Sequence, residues 1–270
     1  MECREFTYQY DGQAIPCSLW VTSKSVRLTT VVFLGTVQIG ELPRWVAEHC
    51  PPNTAVLQGA PHWLAKADGS DILAFMREYT VQALNHIIQN YQVKQFNIIA
   101  ESQAVPGIIQ VFARKKFTPY PRALVLVQPL GLNYSTFAGT KEQRVQAFFR
   151  RVMRNGRYQL ADLLLDKRLR YSHRQLSRLV DFRTSIAREQ YGSGLAHSSL
   201  PELAKLQSLC KNLWIVSGSN DKIFPPTEIK TQLKEVGISV PVRVIEGVPH
   251  SPLATRKGRR LLCAAFDCLE

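Results

Sequence analysis

Three residues of this 270-residue chain are of the types that together make a hydroxyl reactive: Ser102, His250 and Asp221. A neutral serine hydroxyl is a poor nucleophile, so it needs an imidazole to take its proton, and the imidazole needs a carboxylate to fix its tautomer and stabilise its charged form. Ser102 stands in Ala100-Glu101-Ser102-Gln103-Ala104, Asp221 in Ser217-Gly218-Ser219-Asn220-Asp221-Lys222, and His250 in Glu246-Gly247-Val248-Pro249-His250-Ser251. Each has a plain structural alternative. Ser102 could cap a helix, Asp221 could shape a turn, and His250 is one of six histidines. What sets them apart is that each follows a short apolar run.

Those runs are the elements that must position the three side chains. Thr29-Thr30-Val31-Val32-Phe33-Leu34 is continuously apolar and β-branched, as a strand buried on both faces requires. Similar runs cover residues 54–57, 96–100, 123–127, 213–216 and 242–245. Between them lie helical patterns. Ile72, Phe75, Met76, Tyr79, Ala83, Leu84, Ile87, Ile88 and Tyr91 recur at three-to-four spacing, and residues 103–117 and 226–236 read likewise. Near the start, two β-prone runs flank Asp11-Gly12, a turn dipeptide, and predict an antiparallel hairpin. Strands alternating with helices predict an α/β protein with a doubly wound, mostly parallel sheet, whose chemistry lies outside the carboxyl ends of its strands.

Serine at a sharp strand-to-helix turn between small residues resembles the nucleophile elbow of the α/β-hydrolase superfamily, usually written GxSxG. Both glycines are alanine here, and the backbone strain is expected on Ser102 itself. The glycine-led loop with Asp221 before a proline-led segment is similar to the family's acid loop, and the loop around His250 to its terminal histidine loop. The order Ser, Asp, His is also the family's order. The resemblance covers residues 27–132 and 210–270 and implies a Ser102–His250–Asp221 triad acting through an acyl-enzyme. It further implies an oxyanion hole made by the backbone NH of Gln103 and an amide of Leu34-Gly35-Thr36-Val37-Gln38-Ile39-Gly40, either Thr36 or Val37.

Residues 133–210 interrupt the alternation with helical patterns only, such as Val145, Phe148, Phe149 and Val152. The expected organisation is a hydrolase core from residues 1–133 and 211–270 with a helical cap at 134–210. Residues 141–190 hold 13 Lys/Arg against 5 Asp/Glu, which is +8 of the chain's net +13. A cationic cap over a site steers anionic partners toward it, and Arg150, Arg151, Arg154 and Arg157 are the candidates to receive an acidic carrier, such as acyl carrier protein or coenzyme A. By analogy with lids of the family, Phe148, Phe149, Tyr158 and Phe182 are candidates to line an acyl pocket.

The six cysteines form no CxxC pair, and neither His62 nor Asp68 and Asp71 belongs to a metal-ligand pattern, so no metal and no organic cofactor is expected. No apolar run is long enough to span a bilayer, and the first ten residues lack the pattern of an export signal, so a cytoplasmic protein is expected. The high pI comes with no nucleic-acid-binding motif. The resulting expectation is a serine hydrolase of the carboxylesterase or thioesterase type. Two alternatives stay open: an acyltransferase using the same triad, and a hydrolase-like binding protein without activity.

Overall fold

The computed structural model describes residues 1–23, 27–35, 38–60, 72–93, 95–133, 137, 139–182 and 197–270, with residues 72, 141 and 178–182 described by their backbone alone. Its first two strands, β1 (Glu2–Tyr10) and β2 (Gln13–Val21), pair antiparallel across the expected turn. Asp11 (φ +46°) and Gly12 (φ +72°) both take the left-handed conformation, as a two-residue hairpin turn demands.

The remaining strands are β3 (Thr30–Phe33), β4 (Thr54–Leu57), β5 (Asn97–Glu101), β6 (Ala123–Val127), β7 (Asn212–Gly218) and β8 (Val242–Ile245). They complete one eight-stranded sheet in the order β1-β2-β4-β3-β5-β6-β7-β8, antiparallel up to β4 and parallel from β4 onward. The six apolar runs thus all form strands, and the doubly wound sheet is present. The chain steps from β3 out to β4 and then returns past β3 to β5, so the direction of winding reverses between β3 and β5. A crevice opens there beyond the carboxyl ends of the strands.

Alternating side chains of the buried strands feed two cores. Val31 and Phe33 face one that holds α2 (Ile72–Asn90), α3 (Ala104–Ala113), α6 (Leu200–Leu209) and α7 (Pro226–Glu235). Val32 and Leu34 face the other, with α1 (Leu42–Ala47) and α8 (Arg256–Asp267). Both faces of the sheet are therefore covered, which is why its strands read as continuous apolar runs rather than alternating ones.

Between β6 and α6 the chain forms α4 (Lys141–Leu165) and α5 (Lys167–Phe182). A capping box starts α4: Thr140 and Gln143 exchange side-chain and backbone hydrogen bonds at 2.8 and 3.3 Å. Asp166 separates the two helices and joins them to the body, since one carboxylate oxygen accepts from the amide of Arg168 and the other from that of Arg256. Leu203 and Leu206 of α6 are fully buried in the main core, so α6 packs with the body although it precedes residue 210. Among the described residues no helix is long and apolar enough to cross a membrane.

Candidate active site

Ser102 directly follows β5, with φ of +49°, a conformation that costs a residue with a Cβ and turns its hydroxyl out of the strand. The turn is held at both ends. The amide of Ser102 donates to the carbonyl of Val127 at 2.9 Å, and its carbonyl accepts from Val105 and Leu130. Ser102 does not cap α3; Gln103 occupies the cap position and makes no side-chain cap bond. The backbone NH of Gln103 thus lies at the open amino end of a helix, where amides lack intrahelical partners.

His250 lies in the loop after β8, and its Nε2 stands 3.4 Å from the Ser102 hydroxyl. Its Nδ1 is 2.8 Å from Oδ2 of Asp221, which follows β7 and is fully buried. The other oxygen of Asp221 accepts from the amides of Ile223 and Phe224, both at 2.8 Å, so the carboxylate cannot rotate away. Because the carboxylate only accepts, Nδ1 carries the proton and Nε2 is left as the acceptor facing Ser102. Burial disfavours the imidazolium, but the charge and hydrogen bond of Asp221, with Glu101 nearby, raise the pKa of His250 above the ordinary value. The edge of Phe224 packs against the imidazole, with ring centroids 5.2 Å apart.

Five buried or half-buried side chains that had no role in the sequence argument adjoin these three: Glu101, Gln38, Asn155, Gln159 and His173. Glu101 accepts hydrogen bonds from the amide of Gly35 at 3.0 Å and from the side chain of Gln38, tying the elbow to the loop after β3. Burial pushes its carboxyl up to about 7, against the pull of the Gly35 amide and of His250. Gly35 sits close against the elbow, since a Cβ on it would lie a tight 3.3 Å from that of Ser102. From α4, Asn155 and Gln159 bond to the backbone of His250, and His173 of α5 bonds to Gln159. One signal could have found two of them. Asn155 and Gln159 interrupt the apolar stripe of Phe148 and Val152 at helical spacing, where a buried amide needs a partner.

A pocket of about 110 Å³ opens over Ser102 and His250, and its other walls include Phe148, Val152, Leu169, Leu176, Ile223 and Phe224. Of the three aromatic candidates whose side chains are described, only Phe148 is placed in its wall. Phe149 lies about a quarter-turn around α4 and packs edge-on against Phe148 instead. Tyr158 is on the solvent side of α4, 44% exposed beneath the ammonium of Lys222. The side chain of Phe182 lies outside the described residues, as do Thr36 and Val37, His62, Asp68 and Asp71.

The arginine set also divides. Arg150, Arg154 and Arg157 are exposed, whereas Arg151 points inward. Its guanidinium grips both oxygens of Glu228 at 2.8 and 3.1 Å and covers the ring of Phe137. It is therefore not a free cation, which leaves Arg150, Arg154 and Arg157 as the exposed members of the set.

No protein-family model and no curated protein matches the sequence. Solved structures do match the fold over nearly the whole chain. An α/β hydrolase from a Penicillium species superposes with a TM-score of 0.61 at 14% identity, covering 99% of this chain and 97% of that one. The thioesterase domain of the curacin biosynthetic pathway gives 0.60 at 12% identity, covering all of both chains. An esterase from a Rhodococcus species gives 0.53 at 15% identity, over 99% and 98%. With the strand order, the reversal between β3 and β5 and the serine turn at that point, these likenesses give the chain the α/β-hydrolase fold.

Proposed function

We propose that the protein is a serine hydrolase that cleaves a carboxylic ester or thioester of an acyl substrate. The observation that carries this reading is the continuous chain of contacts Ser102–His250–Asp221 in the wall of a mostly apolar pocket. Ser102 Oγ attacks the acyl carbonyl as its proton passes to Nε2 of His250, and the carbonyl π electrons move onto oxygen. The amide of Gln103 and a second amide from the loop after β3, Thr36 or Val37, stabilise that oxyanion. Collapse expels the alcohol or thiol, which takes the proton from His250, and leaves Ser102 acylated. Water then attacks the acyl-enzyme with the same proton transfers in reverse roles, releasing the acid and regenerating the serine.

In this reading residues 134–210 act as a basic cap, and Arg150, Arg154 and Arg157 receive an acidic carrier of the acyl group, acyl carrier protein or coenzyme A. The similarity to a thioesterase domain supports a thioester, and the unpaired state of all six cysteines supports a reducing, cytoplasmic setting. An intact hydrogen-bonded triad favours an enzyme over an inactive binding protein. The test is hydrolysis of p-nitrophenyl esters, acyl-CoA and acyl-carrier thioesters of equal chain length by parent and Ser102→Ala protein. Turnover that disappears in Ser102→Ala supports the hydrolase. A carrier-linked preference that weakens with salt, and on reversing Arg150, Arg154 and Arg157 to Glu, supports the docking role. Equal turnover by parent and Ser102→Ala would refute the mechanism.

A further inference from the structure

The pocket has two unlike walls. Phe148, Val152, Ile223 and Phe224 are apolar, whereas α5 contributes, beside Leu169 and Leu176, two adjacent polar residues, Ser172 and His173. Neither takes part in the triad. The protonation of His173 nevertheless follows from hydrogen bonds that lead back to it. Nε2 of Gln159 lies 2.6 Å from the carbonyl oxygen of His250 and 3.3 Å from the hydroxyl of Ser251. A carbonyl can only accept, so that end of Gln159 is its amide NH₂ and the opposite end is its oxygen. This oxygen lies 3.1 Å from Nε2 of His173. Two acceptors cannot bond to each other, so Nε2 of His173 carries a proton.

Burial lowers the pKa of His173, which keeps the ring neutral at pH 7 and leaves Nδ1 without a proton. Nδ1 bonds to no described residue. His173, which lines the pocket together with Ser172, thus carries an acceptor whose tautomer is fixed by the same amide that bonds to the backbone of His250. A plain hydrocarbon chain laid against this wall strips water from both groups and returns nothing, whereas a substrate hydroxyl donates to Nδ1.

We propose that His173 is a specificity-determining residue that accepts a hydrogen bond from the substrate, and that the preferred substrates are esters or thioesters of hydroxylated acyl groups. This rests on the hydrolase reading above. It adds the chemical class of the acyl chain.

The experiment compares p-nitrophenyl hexanoate with its 2-, 3- and 6-hydroxy derivatives, taking kcat and KM for the parent, His173→Phe and His173→Gln, each checked for folding by thermal unfolding. The parent is expected to favour at least one hydroxy ester over hexanoate by about tenfold or more in kcat/KM, mainly through KM. In His173→Phe that ratio falls to about one. In His173→Gln, whose side-chain oxygen can accept, part of it returns. No preference in the parent, or an undiminished preference in His173→Phe, would overturn the assignment. Absence of turnover with all four esters, together with an unreactive Ser102, would instead sink the hydrolase reading and this inference with it.

Discussion

The side chain of Asn155 pairs with the backbone of His250 in both directions: its oxygen accepts from the His250 amide at 2.9 Å and its NH₂ donates to the His250 carbonyl at 2.9 Å. The same oxygen lies 3.4 Å from the amide of Lys222, next to Asp221. One buried amide on α4 thus joins the histidine loop to the acid loop, which sets the imidazole over Ser102. Replacing it with Leu leaves the amides of His250 and Lys222 without this acceptor and the His250 carbonyl held by Gln159 alone, which loosens the loop. Asn155→Leu is expected to lower kcat by roughly 10- to 100-fold with a smaller change in KM, because a displacement of about 1 Å is enough for that. Steady-state kinetics beside an unfolding curve checks it; unchanged kcat in a folded variant would show that the pairing does not position His250.

Glu101 makes both stability and activity depend on pH. Its carboxyl is pushed up from 4.5 to about 7 by burial, so the folded chain holds a proton that the unfolded chain gives up across that interval. This group therefore costs stability as pH rises from about 4.5 to about 7. Glu101→Gln removes that dependence and is expected to gain on the parent between pH 5 and pH 8 by up to about 3 kcal/mol, read from urea unfolding at both pH values. The charge of Glu101 also helps hold the proton on His250. Its loss is expected to move the acid limb of kcat/KM to lower pH.

Arg151 and Arg154 lie three residues apart on α4 and are expected to behave differently. Arg151 is 17% exposed and doubly bonded to Glu228, so Arg151→Met leaves a half-buried carboxylate with the side-chain amide of Asn133 but without its paired charge and is expected to cost about 2 kcal/mol, less than a fully buried pair would. Arg154 is exposed, and Arg154→Met is expected to stay within about 0.5 kcal/mol of the parent. Denaturant midpoints of the two variants test the contrast directly.

Gly218 ends β7 where the acid loop begins, and a Cβ on it would overlap the carbonyl of Val248 in the histidine loop. Gly218→Ala must push the two loops apart. We expect destabilisation of more than about 1 kcal/mol and a loss of activity beyond what the stability change explains, measured by unfolding and by kcat at a temperature where the variant is folded.

The strands were legible because a sheet covered on both faces demands unbroken apolar runs, and six such runs stand out between polar loops. The three loops that bring Ser102, His250 and Asp221 together were legible because each follows one of those runs. The helical segment was readable as helix, but the orientation of its side chains was not. Phe148 and Phe149 are adjacent, as are Arg150 and Arg151, yet only one of each pair faces inward, and that choice depends on how α4 is set against the acid and histidine loops. Glu101 stood in full view in the elbow. Its role depends on the Gly35 amide, 66 positions earlier in the chain, and no local pattern announces such a contact.

The central claim is that His250 and Asp221 make the Ser102 hydroxyl nucleophilic, and labelling with a fluorophosphonate probe tests it without a choice of substrate. The modified peptide would be located by mass spectrometry in the parent, Ser102→Ala and His250→Ala proteins. The account predicts label on Ser102 in the parent, none in Ser102→Ala and a severe loss of labelling in His250→Ala. An unlabelled parent that is folded, with the probe active on a control enzyme, would contradict it.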